Sequence, residues 1–220
     1  GRGAIVLPTD VRSEAAVEAM VERTVESFGR LDALVNNAGA IHFAQVADWT
    51  VKKFDLVFGV NVRASFVASR AALPHLRRQG GHVVMMSPPV HLGAVVGKAP
   101  YIVSKFGMTL LAMAIDAEEE DVAACALWPV TLIRTAATEN LSFGDPREWR
   151  RPEILADATV ALLARDPRRS PFRAWLDEEV LAEEGVTDLS IYRCDPDHEP
   201  SPLSIQLVAP DWRRGDRTSI

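Results

Sequence analysis

Tyr101 and Lys105 stand four residues apart in "APYIVSKFG". On a helix, positions i and i+4 share a face, so the phenol and the ammonium would be neighbours. A phenol titrates near ~10, and work as a proton donor or acceptor at neutral pH requires lowering that by about three, worth ~4 kcal/mol. An adjacent ammonium favours the phenolate and supplies part of that lowering. The pair therefore has the makings of a tuned general acid/base. Alone it is not specific, because Tyr and Lys at this spacing occur on many helices by chance.

Three further polar signals surround it. Ser87 ends the apolar run "GHVVMMS" and is followed by Pro88 and Pro89. "NNAG", residues 36–39, follows the apolar run "LDALVNN" (31–37) directly. Asn61 lies inside the otherwise apolar helical pattern of "GVNVRASF", where an amide needs a reason to be buried. Open parallel sheets bind ligands at the carboxyl ends of their strands, which is where Ser87 and "NNAG" would fall.

These residues need a scaffold of alternating strands and helices, and the sequence reads that way. "AIVLPTDV" (4–11), "LDALVNN" (31–37), "GHVVMMS" (81–87) and "DVAACALW" (121–128) are strand-like apolar runs. Between the first two, Ala16, Val17, Met20, Val21, Thr24, Val25 and Phe28 recur at helical spacing, with Ser13 as N-cap and Gly29 as stop. Helical patterns also cover about 51–78, a stretch opening near Tyr101, and 151–167. "FRAWLDEEV" reads as a last strand. Strands separated by helices imply a mostly parallel sheet with helices on both faces, an α/β fold.

With 220 residues and 48% apolar content, the chain can bury one continuous core. A net charge of -6 with dispersed cations recommends neither nucleic acid nor an anionic membrane as partner. Cys125 and Cys194 lie far apart in unlike surroundings, so a reducing, cytoplasmic location is expected. The longest apolar runs, such as "VAACALWPVTLI", fall short of a bilayer span. Asp195, Asp197, His198 and Glu199 sit in a Pro-bounded turn without metal-ligand spacing and read as a solvated turn, so no metal site is expected. Residues 192–220, rich in Pro and charge, read as an extended arm or tail.

Together, "TDVRSEAAVEAMVERTVESFGRLDALVNNAG", "NVRASF", the strand to Ser87 and "YIVSK" resemble a short-chain dehydrogenase/reductase, in that family's order and spacing, up to about Ile191. Within it, "SPP", "ALWPVTLIRTAA" and "WLDEEVLAEEGV" are most similar to the hydroxysteroid dehydrogenase-like branch. The resemblance implies one Rossmann-like, doubly wound domain over residues 1–191 and hydride transfer between NAD or NADP and a carbonyl or alcohol. It implies Tyr101 as general acid/base, Lys105 as the group that lowers its pKa and holds the nicotinamide ribose, and Asn61 as the anchor of a water relay. Asp10 and Val11 would border the adenine, Asn37, Ala38 and Gly39 the adenosine ribose, and Ile133 and Thr135 the nicotinamide carboxamide. It also implies a homo-oligomer built on the apolar helix "YIVSKFGMTLLAMAI". The lid "TAATENLSFGDPREWRRPE" (135–153) carries Leu141, Phe143 and Trp149, which suggest an apolar substrate.

Two departures from the family stand out. Pro88 occupies the position of the usual catalytic serine, so a shifted Ser87, His91 or water would have to take its place. The family's opening strand, T-G-x-x-x-G-x-G turn, helix and second strand have no counterpart here, and "GAVVGKA" (93–99) does not substitute for a phosphate loop. The first βαβ unit is thus expected to be missing, with a gap between the strand-like runs at 4–8 and 31–36. A sequence cut from a longer chain is the favoured explanation; a rearranged relative is the other. Two functions follow: an NAD(P)-dependent oxidoreductase, or a non-catalytic binding or scaffolding protein on the same fold.

Overall fold

The computed structural model describes residues 3–78, 80–89, 95–167 and 172–203. In chain order its first half contains α1 (Glu14–Phe28), β1 (Ala33–Asn36), α2 (Val51–Phe58), a π-helical turn (Gly59–Arg63), α3 (Ala64–Leu76), β2 (His82–Met86) and α4 (Ala99–Glu118). The second half contains β3 (Ala123–Trp128), β4 (Leu132–Ile133), α5 (Ala136–Asn140), β5 (Trp149–Arg150), α6 (Glu153–Leu163), β6 (Ala174–Leu176) and α7 (Asp177–Glu183).

The caps read from the sequence form at α1. The Ser13 hydroxyl accepts from the Ala16 N–H at 3.4 Å, and Gly29 takes φ 78° while its N–H donates to the Val25 carbonyl at 2.7 Å. Four strands make one parallel sheet in the order β1-β2-β3-β6. Alternate side chains of a strand point to opposite faces, and the core divides accordingly. Val83 and Met85 of β2, with Ala124, Ala126 and Trp128 of β3, pack against Met108, Ala112 and Ile115 of α4 and Ala72 and Leu76 of α3. Val84 and Leu127 face the other way, onto Ile154, Ala158 and Leu162 of α6 and Val180 and Leu181 of α7. A parallel sheet between two helical layers is the α/β, Rossmann-like architecture the alternation implied.

Two strand expectations need correction. The run 4–11 is in no strand: Ile5 is 41% and Val6 87% exposed, and a segment with no neighbour to share its backbone hydrogen bonds gains nothing from strand pairing. Among the described residues β1 is accordingly an edge strand, with Val35 exposed on it. The last strand ends at Leu176 rather than running through "DEEV". Asp177, Glu178 and Glu179 instead form the first turn of α7, where carboxylates meet the positive end of the helix.

The stretch Val51–Leu76 is long and apolar enough to cross a membrane by length and composition alone. Here it is interrupted by the π turn and lies against α1, β1 and α4. Beyond Tyr192 the chain folds back along the body. Arg150, buried, donates to Glu178 at 3.0 Å and Glu199 at 2.7 Å, and the Leu203 N–H reaches the Val130 carbonyl at 2.6 Å. Residues 204–220 lie outside the described residues.

Candidate active site

The site is built around the π turn. A π bulge widens the backbone by one residue and re-aims the side chains within it. Asn61, at the centre of this one, is fully buried. Its Oδ1 accepts from the Ala40 N–H at 2.7 Å, while Nδ2 donates to the Ala40 carbonyl at 3.0 Å and to Ser104 Oγ at 2.8 Å. Ser104 passes its own proton to the Tyr101 carbonyl at 2.7 Å. One amide therefore ties the loop after β1 to the first turns of α4. Close approach of α4 depends on Gly107, where a Cβ would come within 3.0 Å of Val62 Cγ2.

Lys105 is buried on the same face of α4, and its Nζ donates to the Met86 carbonyl, at the end of β2, at 2.9 Å. Gly39 backs onto the ammonium: a Cβ there would lie 3.4 Å from Nζ and 3.7 Å from Asn61 Oδ1. Burial lowers the Lys105 pKa to about 8 and raises that of Tyr101 to about 12. The shift of the phenol is therefore opposite to the lowering expected from its lysine neighbour: burial is its cause, and the ammonium is directed at Met86.

Ser87 is buried, and its hydroxyl is committed elsewhere. It shares a 2.8 Å hydrogen bond with Thr109 Oγ1 and accepts from Trp128 Nε1 at 3.0 Å. Pro88 and Pro89, not Ser87, border the nearby cleft. His91 lies outside the described residues.

That cleft, about 340 Å³, opens beside Tyr101. Phe43 stands edge-on to the Tyr101 ring at 5.6 Å and tilted against Phe143 at 5.4 Å. Ile133 and Thr135 also line the cleft, together with Leu132 and Thr138. Thr135 caps α5, receiving the Thr138 N–H at 3.2 Å. Of the three lid residues, Phe143 enters the cleft. Trp149 is buried beneath it and donates to the Phe143 carbonyl at 3.1 Å, and Leu141 is exposed.

A second groove, about 190 Å³, runs beside β1 and is lined by Val11, Asn37 and Ala38. Asp10 is turned away, chelated by Arg12 at 2.9 and 2.7 Å, and those bonds hold its carboxyl at about 2. Of the residues singled out by sequence, Val11, Asn37 and Ala38 line this groove, Gly39 lies against Lys105 and Asn61, and Tyr101, Ile133 and Thr135 line the cleft, while Asp10 and Ser87 line neither. Sequence reasoning missed Ser104, Phe43 and the Met86 carbonyl. Ser104 lies inside "YIVSK" and could have been found as a small polar residue on the buried face of that helix; a backbone carbonyl leaves no sequence signal.

A model of the short chain dehydrogenase family matches residues 1–142. The chain is 36% identical over 203 residues to hydroxysteroid dehydrogenase-like protein 2 of Xenopus tropicalis, an alignment covering 90% of this chain and 48% of that protein. It spans about half the length of the curated relatives it matches. Among solved structures, it is similar to a putative dehydrogenase from Xanthomonas campestris, with TM-score 0.83 and 41% identity over 89% of this chain and 74% of that one. It is also similar to a short chain dehydrogenase from Mycobacterium thermoresistibile, with TM-score 0.80 and 38% identity over 92% of this chain and 74% of that one.

Proposed function

Because the chain belongs to the short-chain dehydrogenase family, we propose that it carries the proton-transfer centre of an oxidoreductase moving a hydride between NAD or NADP and an apolar carbonyl or alcohol. The observation that carries this reading is the position of Tyr101. Its ring borders an apolar cleft, one helical turn from a buried Lys105 that Gly39, Asn61 and Met86 surround. In carbonyl reduction the Tyr101 hydroxyl would give its proton to the oxygen of the reacting carbonyl, and in alcohol oxidation it would take one back.

The nicotinamide supplies or accepts the hydride when bound. The chain's own residues suit that end of the cofactor. The Lys105 ammonium is a donor for ribose hydroxyls, Gly39 leaves room where a side chain would crowd Nζ, and Ile133 and Thr135 line the cleft. Val11, Asn37 and Ala38 offer the groove for the adenosine end. In this reading Ser87 has no part in the chemistry, since its hydroxyl is held between Thr109 and Trp128. Tyr101 alone meets the carbonyl oxygen, and Asn61 acts by position, fixing Ala40 and with it the Gly39 backbone.

Self-association belongs to the same reading. Phe54, Phe66, Val103 and Leu110 are exposed on α2, α3 and α4, an apolar surface that a second copy would cover. A monomeric mass by sedimentation at micromolar concentration would count against that part.

Titration with NADH and NADPH, followed by nicotinamide fluorescence, tests binding. Turnover of medium-chain ketones by Tyr101→Phe tests the proton transfer. The expected result is a loss of turnover of at least about 100-fold with nucleotide affinity retained. Binding of neither nucleotide, or a Tyr101→Phe variant that turns over at the parent rate, overturns the reading.

A further inference from the structure

Among the described residues, Lys98 is the one basic side chain lining the apolar cleft. It sits at the N-terminal boundary of α4, one turn before Tyr101, and is half-buried. Its ammonium lies 5.4 Å from the centre of the Phe43 ring and 5.1 Å from that of Phe143. Both rings belong to the cleft wall. Among the described residues no carboxylate pairs with it, although most arginines of this acidic chain have one or two such partners.

Two aromatic rings attract a cation, but they carry no net charge. They hold the ammonium in place without neutralising it. Apart from the Tyr101 phenol and the Thr135 and Thr138 hydroxyls, which bond to each other, the rest of the wall is hydrocarbon and proline, so a ligand filling the cleft strips water from the ammonium and leaves its charge without a counterion unless it brings an anion. Phe43 links the two groups, since the same ring touches both Tyr101 and Lys98.

We propose that Lys98 selects an amphipathic substrate, an apolar carbonyl or alcohol that also bears a carboxylate or comparable anion, with the reacting oxygen at Tyr101 and the anion at Lys98. The inference rests on the cleft being the substrate site proposed above, and it narrows the substrate class from apolar to apolar with an anionic group. Lys98 is a specificity residue in this account and takes no part in proton transfer.

The test needs neither cofactor nor turnover, so it can fail independently of the oxidoreductase reading. Octanoate and octanamide match in length and shape and differ in charge. Calorimetric titration of the 220-residue chain with each should show octanoate binding about tenfold more tightly, with an advantage that shrinks as salt is raised. Lys98→Met keeps the apolar stem and should abolish the advantage, whereas Lys98→Arg should keep it. Both substitutions fall at a half-exposed helix boundary, and unchanged circular dichroism would verify their folding. Equal affinity for the two ligands, binding of neither, or an advantage that survives Lys98→Met overturns the proposal. If octanoate preference is found while neither NADH nor NADPH binds, the oxidoreductase reading falls and the anion site stands.

Discussion

Asn61 pairs with both backbone groups of Ala40, accepting from its N–H at 2.7 Å and donating to its carbonyl at 3.0 Å, as a neighbouring strand would. Ala40 follows β1 in a loop that, among the described residues, no strand borders, so the side-chain amide takes the place of a backbone partner. The second Nδ2 proton goes to Ser104. Both hydrogens of the amide are therefore used at a fully buried position.

Replacing Asn61 with Asp tests this. A carboxylate can accept from the Ala40 N–H but can donate to neither the Ala40 carbonyl nor Ser104, and it is a charge where Asn61 is fully buried. The expected cost is about 2–4 kcal/mol at pH 7.5, read as a lowered urea midpoint. Part of it should return at pH 5, where a protonated carboxyl regains one donor. An unchanged midpoint at pH 7.5 would show that the amide bridge contributes little.

Ser87 gives a sharper contrast between structure and chemistry. Its hydroxyl joins Thr109 and Trp128 in the core, and Trp128 keeps Thr109 at 3.2 Å when Ser87 is removed. Ser87→Ala should therefore cost only about 1 kcal/mol of stability and leave turnover within a fewfold range. A stable variant with turnover reduced by about 100-fold or more would mean that Ser87 reaches the substrate and the hydroxyl is catalytic.

Much of this was legible in the sequence, and the reasons for the rest are physical. Strand and helix identities followed from apolar spacing, because β2 and β3 are buried on both faces and α1 carries its own caps. The 4–11 run misled because a strand is a relation between two segments, and apolar alternation records only one of them. "DEEV" misled because its carboxylates favour a helix start more than its valine favours a strand. Within the candidate site, Tyr101, Lys105 and Asn61 could be singled out because residue type and spacing leave a signal, whereas Gly39 came only from the family resemblance. The direction of the Ser87 hydroxyl, the Lys105 bond to a backbone carbonyl and the burial of Tyr101 depend on packing, which spacing does not encode.

Lys105 should make stability depend on pH in a defined window. Burial lowers its pKa to about 8 from an ordinary value of 10.5. Between those values the unfolded chain holds the proton that the folded chain releases, so the Lys105 contribution to stability rises with pH from about 8 to 10.5. Lys105→Met removes the titration. The difference in unfolding free energy, parent minus variant, should climb by about 2–3 kcal/mol across that window. Taking the difference cancels the opposite trends from Tyr101 and Cys125, both raised to about 12 by burial. A flat difference would mean that Nζ is solvated rather than held against Met86.

Asp177 supplies the converse case on the far side of the sheet. It is fully buried at the start of α7, where Oδ1 accepts from the Val130 and Glu178 N–H groups at 2.9 Å each. Oδ2 is buried with no hydrogen-bond partner among the described residues. Desolvation raises the carboxyl to about 6, outweighing the two N–H bonds and the nearby Arg150. The folded form then holds a proton that the unfolded form has released between about pH 4 and 6, so this contribution to stability falls as pH rises through that window. Asp177→Asn keeps an oxygen acceptor for both N–H groups and puts a neutral amide where the unpaired carboxylate was. The variant should be more stable than the parent at pH 8 by up to about 3 kcal/mol, with the gain shrinking below pH 5. Urea unfolding at pH 4.5 and pH 8 checks this. A variant less stable than the parent at pH 8 would show that the charged form of Asp177 is the one the Val130 turn requires.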